Sequence, residues 1–417
     1  MKILNVNKFY HVRGGADRYY FDLARVLERQ GNTVIPFSTE HPKNAPSEYR
    51  EYFVPGFTED DFHELGIRQK AAAFLNGIYS QTARLQLRRL IFETAPDIAH
   101  LHGLFYQMSL SVIDELFDRN VPVVYSLHDY HTICSGAFLY YDGKICSACK
   151  GGHFIEGLKR KCYRGKVLPG LMAYAAKKVH QWRRILDKVD IFIVPHDLMK
   201  EEFVSWGFPR EKFRTVWNPF FYDDISVYPY HKDSDYFVFY GRLARSKGIY
   251  TVLEAFRGFP DKWLWIFGSG PEEEGVREYI ARHAMRNVRL NTHMRWGTEL
   301  KEKIGQSLGV ISASEWPTPS EYVNYETMAL GMPLIVSDVA GNVAMIKDNE
   351  NGFIFRHGDA RDLAACLQRC LKADAGEMGR RARRFVEQEL SPDIFSKRIL
   401  SIYDEVLKKR GYRKGVL

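Results

Sequence analysis

Short apolar runs alternate with amphipathic helical stretches from one end of the chain to the other, and this rhythm most narrows the folds open to it. "KILNV" leads through "RGGAD" into "RYYFDLARVLERQG" and on to "TVIPFS"; "DIAHLHG", "PVVYSLHDY" and "DIFIVPH" add further strands that end in polar residues. The rhythm pauses at "NPFFYDDISVYPYHKDSD" and restarts with "YFVFYGRLARSKG", "WLWIFGSGPEEEG", "VRLNTHM", "LGVISASEW" and "PLIVSD". A chain of 417 residues exceeds what one core usually supports. We therefore expect an α/β protein with two Rossmann-like domains, residues 1–217 and 218–393, and a last helix, 394–417, that returns to the first. No short-period repeat suggests a solenoid.

Net charge is +8 with a sequence pI near 9.0, which favours an anionic partner. The longest uncharged apolar runs, residues 121–127 and 168–176, fall well short of the roughly 18–20 needed to span a bilayer. "MKILNVN" reads as a first strand rather than a signal peptide, so a cytoplasmic protein is expected. A nucleic-acid role finds no motif, with 51 acidic residues against 59 basic.

In open α/β sheets, ligands sit beyond the carboxyl ends of the strands, where loops enter helix N-termini. "YGRLARSKG" places Arg242 and Lys247 on such a loop, between Gly241 and Gly248, and two cations there suit a diphosphate; a solvated basic turn is the alternative. "FGSGPEEEG" adds Ser269 and Gly270 after another strand, and "RGGAD" places Gly14 and Gly15 at an anion-compatible turn that could equally be a plain tight turn. No dinucleotide GxGxxG fingerprint is present. The stretch "SEWPTPSEYVNYETMALGMPLIVSD" joins strand, proline-broken loop, helix and strand, with Gly331 as the expected helix stop. Its loop and helix carry Thr318, Ser320, Glu321, Tyr322 and Glu326.

Taken in order, "GGADRYYFDLARVLERQG", "SLHDY", "NPF", "GRLARSKG", "FGSGP", "YETMALGMPLIVSD" and "NGFIF" make the chain resemble the family 4 glycosyltransferases. That resemblance implies the GT-B fold, two Rossmann-like domains facing across a cleft, and retaining sugar transfer that needs no cofactor. It implies a nucleotide diphosphate sugar as donor and a saccharide as acceptor, in polysaccharide or glycoconjugate biosynthesis; the basic stretch described below would suit a polyprenyl-linked saccharide acceptor. Arg242 and Lys247 then match the pair that holds the diphosphate, Glu326 the acid at the ribose hydroxyls, and His128 the histidine that faces the transferred sugar. Without the resemblance, Glu326 would read as an exposed helix glutamate and His128 as a structural histidine. Asp129 either orients that imidazole or caps the next turn.

Two departures stand out. Thr318 occupies the place of the first glutamate in a Glu-x7-Glu pattern, and Ala340 and Ala344 stand where glycine and glutamate are usual. An altered donor, compensation by Glu321 or Glu315, or a weakened enzyme would each account for them. A nucleotide-sugar-binding partner with little catalysis and a sugar-nucleotide epimerase of the same fold are the rival functions.

Cys134, Cys146, Cys149 and Cys162 lie within a Cys-rich insertion at about 130–165 and could supply four thiolates to a structural zinc, with His153 as a substitute. Buried thiols or a redox-sensitive pair are the alternatives, and Cys366 and Cys370 read as packing residues. Residues 150–184 hold ten Lys or Arg against one acidic residue, Glu156, interleaved with Leu, Met, Tyr and Trp. Such a stretch suits either an anionic membrane surface, on the inner face of the membrane, or a solvated helix face.

Overall fold

The computed structural model describes residues 1–56, 66–163 and 165–411, so Arg164 of the basic stretch and residues 412–417 of the expected last helix lie outside the described residues. The chain divides into two compact units. The first comprises Met1–Ala137, Ser147–Pro219 and the chain from Pro392 onward; the second comprises Phe138–Cys146 and Phe220–Ser391.

Among the described residues eight strands precede residue 220: β1 (Lys2–Val6), β2 (Thr33–Phe37), β3 (Ile98–Leu101), β4 (Val123–Ser126), β5 (Tyr140–Tyr141), β6 (Lys144–Ile145), β7 (Ile191–Val194) and β8 (Phe213–Thr215). Six of them form the parallel sheet of the first unit, in the order β2-β1-β3-β4-β7-β8. Every residue of β3, β4 and β7 is buried, as expected where helices cover both faces of a parallel sheet. The helix Gly15–Arg29 buries Tyr19, Tyr20, Leu23, Val26 and Leu27, one stripe at helical spacing. The helix Pro392–Lys409 belongs to this same unit, and its Phe395 meets the Tyr19 ring edge-on at 5.5 Å.

The second unit repeats the plan with β9 (Tyr236–Tyr240), β10 (Trp263–Phe267), β11 (Val288–Asn291), β12 (Val310–Ser312), β13 (Leu334–Ser337) and β14 (Phe353–Phe355), ordered β11-β10-β9-β12-β13-β14 and all parallel. Strand order reverses between β9 and β12, and the loops leaving these two neighbours bound the crevice such sheets use for ligands. Backbone contact holds the loops after β9 and β10 together. Gly268 has φ +141°, and a Cβ there would fall 1.8 Å from the Gly241 carbonyl oxygen, so only glycine fits.

The β5-β6 hairpin departs from expectation. It lies inside the Cys-rich insertion assigned to the first domain, yet Phe138–Cys146 clusters with the second unit. Tyr140 donates a 2.6 Å hydrogen bond to Glu315, and Phe138 packs edge-on against Trp316 at 4.9 Å.

Candidate active site

On the second unit, the loop after β9 carries Arg242 and Lys247 and the loop after β12 leads into the helix Tyr322–Ala329. Lys247 Nζ donates to Glu321 Oε1 at 2.8 Å, Ser312 Oγ donates to Oε2 at 3.1 Å, and Ser314 Oγ donates to Oε1. Glu321 is 7% exposed. Burial pushes its carboxyl up, but the Lys247 charge and the three hydrogen bonds outweigh this and hold it below the usual glutamate range. Glu315 accepts from Thr251 Oγ1 at 2.8 Å as well as from Tyr140. Arg242, in contrast, is exposed. The N-cap residue of the helix Tyr322–Ala329, Glu321, makes no side-chain capping hydrogen bond to it.

Glu326 is buried on that helix, 6% exposed, with the Tyr240 hydroxyl 3.2 Å from its Oε2. The exposed-glutamate reading is therefore overturned: its helix buries every residue from Asn324 to Ala329. Thr318 is 1% exposed and its carbonyl accepts from Gly341 N at 2.9 Å, so it locks the loop to the short helix Ala340–Val343. Ala344 caps that helix at its C-terminal end. Ser269 and Gly270 sit half-buried in the loop after β10, where the Ser269 carbonyl accepts from Leu243 N at 3.0 Å. Ser320 and Tyr322 flank Glu321.

On the first unit, a cavity of about 230 Å³ opens at the carboxyl ends of β1, β3 and β4, lined by Asn7, Arg13, Gly14, Gly103, His128 and Asp129 among others. Gly14 caps and Gly15 opens the helix Gly15–Arg29, with Gly14 lining this cavity on the same unit as His128. Asp129 caps the turn: its Oδ1 accepts from His131 N at 2.8 Å, and His131 Nδ1 lies 3.2 Å away. The His128 ring is held from the other side, with Nε2 3.2 Å from His102 Nδ1, and His102 Nε2 is 2.8 Å from Asn5 Oδ1. His100 completes the row, bonded to Tyr403 OH at 2.6 Å and Ser126 Oγ at 2.7 Å. Adjacent rings lie nearly parallel, at 18° for His100 and His102 and 14° for His102 and His128. Burial pulls His128 down to about 4 and His100 to about 3, and carries His102 well below the ordinary imidazole value. All three are neutral at pH 7.

The family model described as Glycosyltransferase Family 4 matches residues 13–220, and that described as Glycosyl transferases group 1 matches residues 223–388. Together they run from residue 13 to residue 388 with a gap of two residues. The chain belongs to glycosyltransferase family 4. The capsular polysaccharide biosynthesis glycosyltransferase CapM of Staphylococcus aureus is 26% identical over 194 residues, 43% of this family 4 chain and 49% of CapM. The chain spans about half the length of the curated relatives it matches. Its fold is GT-B: the structure of Anabaena HepE in complex with UDP-glucose superposes with a TM-score of 0.68 at 15% identity, over 97% of this chain and 100% of HepE. Sucrose-phosphate synthase from Thermosynechococcus elongatus gives 0.69 at 17% identity, over 98% and 99%.

Within this family 4 chain, one expected assembly does not form. Among the described residues no group of three or more His, Cys, Asp or Glu side chains could hold a metal ion, so Cys134, Cys146, Cys149 and Cys162 do not build the expected zinc cage. Cys149 is instead buried, its Sγ 4.0 Å from Ser135 Oγ, and Cys146 groups with the second unit while the other three group with the first. His100, His102 and Asn5 are the residues that sequence reasoning missed. The available signal was "HLH" in "DIAHLHG", two histidines at strand spacing that share one face.

Proposed function

We propose that the protein transfers a sugar, with retention of anomeric configuration, from a nucleoside diphosphate sugar to a saccharide or lipid-linked saccharide in polysaccharide or glycoconjugate assembly. The carrying observation is the constellation on the second unit: Lys247 held by buried Glu321, exposed Arg242 on the same loop, and Glu326 buried on the following helix. Two cations at a strand's carboxyl end suit a diphosphate whose charge grows as it leaves. A carboxylate suits paired ribose hydroxyls because each of its oxygens accepts. In the transfer, the acceptor oxygen bonds to the anomeric carbon on the face the diphosphate leaves. The bond from that carbon to the diphosphate oxygen breaks with its electron pair, and the hydroxyl proton passes to the departing diphosphate. Arg242 and Lys247 supply the positive charge, so no step runs through a metal. In the family pattern His128 is the histidine that faces the transferred sugar.

HepE was crystallised with UDP-glucose, which makes UDP-sugars the first donors to try. The test incubates the purified protein with UDP-, GDP-, TDP- and ADP-sugars, with and without saccharide acceptors, and follows diphosphate release and product. Acceptor-dependent release supports transfer. Binding without release would replace the proposal with a nucleotide-sugar-binding partner, and conversion of the donor sugar without acceptor would replace it with an epimerase.

A second reading concerns where the acceptor is met. The helix Val167–Trp182 exposes Val167, Leu168, Leu171 and Trp182 within the basic stretch, which suits the surface of an anionic bilayer. Among the described residues no helix is long and apolar enough to cross a membrane. Flotation with phosphatidylglycerol vesicles at low salt tests it; absence of binding refutes it.

A further inference from the structure

We propose that His102, aligned by Asn5, is a positioning residue that locks His128 in the tautomer with its proton on Nε2, so that His128 offers a bare Nδ1 to its cavity and selects ligand groups that donate a hydrogen bond. The tautomer half of this inference stands on the hydrogen-bond geometry and on the neutrality of the three rings. The ligand half rests on the glycosyl-transfer reading.

The order of protons follows from one fixed end. Asn5 lies fully buried in β1, and its Nδ2 reaches the carbonyl oxygen of Tyr20 at 3.4 Å. A carbonyl only accepts, so the amide nitrogen must face it, and Oδ1 is left facing His102 Nε2 at 2.8 Å. An amide oxygen also only accepts, so His102 carries its proton on Nε2. A neutral imidazole has one N–H, which leaves His102 Nδ1 with a lone pair. Its partner at 3.2 Å, His128 Nε2, must then donate. His128 has no second proton, so its Nδ1 is an acceptor.

That Nδ1 is open. It makes no hydrogen bond within the protein among the described residues, and it is not one of the buried polar atoms sealed from solvent, while His128 itself lines the cavity of about 230 Å³. The burial of all three rings keeps them neutral, as the argument requires. The near-parallel stack fixes the plane as well as the proton. His102 is clasped between His100, 4.6 Å away, and His128, 5.5 Å away, and His100 is pinned at both nitrogens by Tyr403 and Ser126. The chemical consequence is a filter. A hydroxyl can donate to Nδ1, whereas a phosphate or carboxylate oxygen would set a lone pair against a lone pair. The first-unit cavity thus reads sugar hydroxyls through His128 and turns charged oxygens away from it.

The test uses full-length protein labelled with [15N]histidine and long-range proton–nitrogen correlation at pH 7.5, with His128 assigned by difference from His128→Gln. Wild type is expected to show an unprotonated Nδ1 and a protonated Nε2 for His128. Asn5→Leu removes the terminal acceptor and should move the His128 proton to Nδ1 in a large fraction of molecules. A His128 proton on Nδ1 in the wild type overturns the inference, as does an unchanged pattern in Asn5→Leu. Should Asn5→Leu fail to fold, the wild-type spectrum alone decides. In the transfer assay Asn5→Leu should lower kcat/KM at least tenfold; a loss below threefold would refute the ligand half. If no sugar nucleotide supports transfer, the proposed function fails, and the spectra still decide the tautomer.

Discussion

Lys247→Met keeps most of the side chain's length and removes its charge, which strands Glu321. The carboxylate stays 7% exposed and loses its 2.8 Å ammonium partner, retaining only the two serine hydroxyls. Removing one member of a buried pair costs about 3–5 kcal/mol. Lys247 is itself 27% exposed, so water offsets part of the loss and the low end, about 3 kcal/mol, applies. For a unit of this size each kcal/mol moves the midpoint by about 2–4 °C, so the second unit should melt roughly 6–12 °C lower near neutral pH. The pH dependence supplies the sharper test. In the wild type the folded Glu321 value is depressed, so its contribution is present above the unfolded value, about 4.3, and is lost as pH falls through the folded one. Without Lys247, burial dominates and the folded value rises above the unfolded one. The carboxylate then costs stability at neutral pH, and that cost fades as acid protonates it. The gap between variant and wild type should therefore narrow from pH 7 to pH 4, and adding Glu321→Gln should recover most of it at pH 7. Scanning calorimetry across pH 4–8 measures both. A gap below about 2 °C at pH 7, or one that does not change with pH, would refute the reasoning.

Arg242→Ala should leave the melting midpoint within about 0.5 kcal/mol of wild type, because the side chain is exposed. Its turnover should fall at least about a hundredfold if it meets the leaving diphosphate, as kcat measured with a saturating donor will show. The first unit should lose stability as pH drops below about 6.5, because the unfolded chain takes up protons on His100, His102 and His128 that the folded row refuses, with His128 held at about 4, His100 at about 3 and His102 well below the ordinary imidazole value. The slope should approach about 4 kcal/mol per pH unit at its steepest, and denaturant titrations at pH 5–7 should show it flattened in His102→Gln. Gly268→Ala should destabilise the second unit by more than about 2 kcal/mol, read as a lower midpoint, since the added carbon would meet the Gly241 carbonyl at 1.8 Å.

What could be read beforehand depended on how local each signal was. β9, β12 and β13 are continuous apolar runs that end at polar loops, and Arg242 and Lys247 follow one of them directly, so strand, loop and cations were visible together. The burial of Glu326 was not, because its helix has almost no polar face and only the packed sheet shows which side is covered. Glu321 looked like one more donor contact. Its part in holding Lys247 depends on Ser312 and Ser314 converging from the preceding strand and loop. The placement of the β5-β6 hairpin had no local trace at all, since Tyr140 finds Glu315 across 175 positions of sequence. The cysteine spacing drew attention to a metal because thiols at short intervals carry the same pattern whether they bind an ion or pack as small hydrophobes.

The helix Pro392–Lys409 has a consequence for biosynthesis. Tyr403, which holds His100, reaches the ribosome's exit only after the entire stretch Phe220–Ser391 has been made. At roughly 5–20 residues per second, this leaves the first unit waiting on the order of 10–30 seconds with its sheet translated and its last helix absent. During that interval Tyr19 and His100 lack the rings of Phe395 and Tyr403 that later pack against them. The histidine row therefore matures last, after the second unit has had time to fold, although five of the six strands that support it are complete before residue 200.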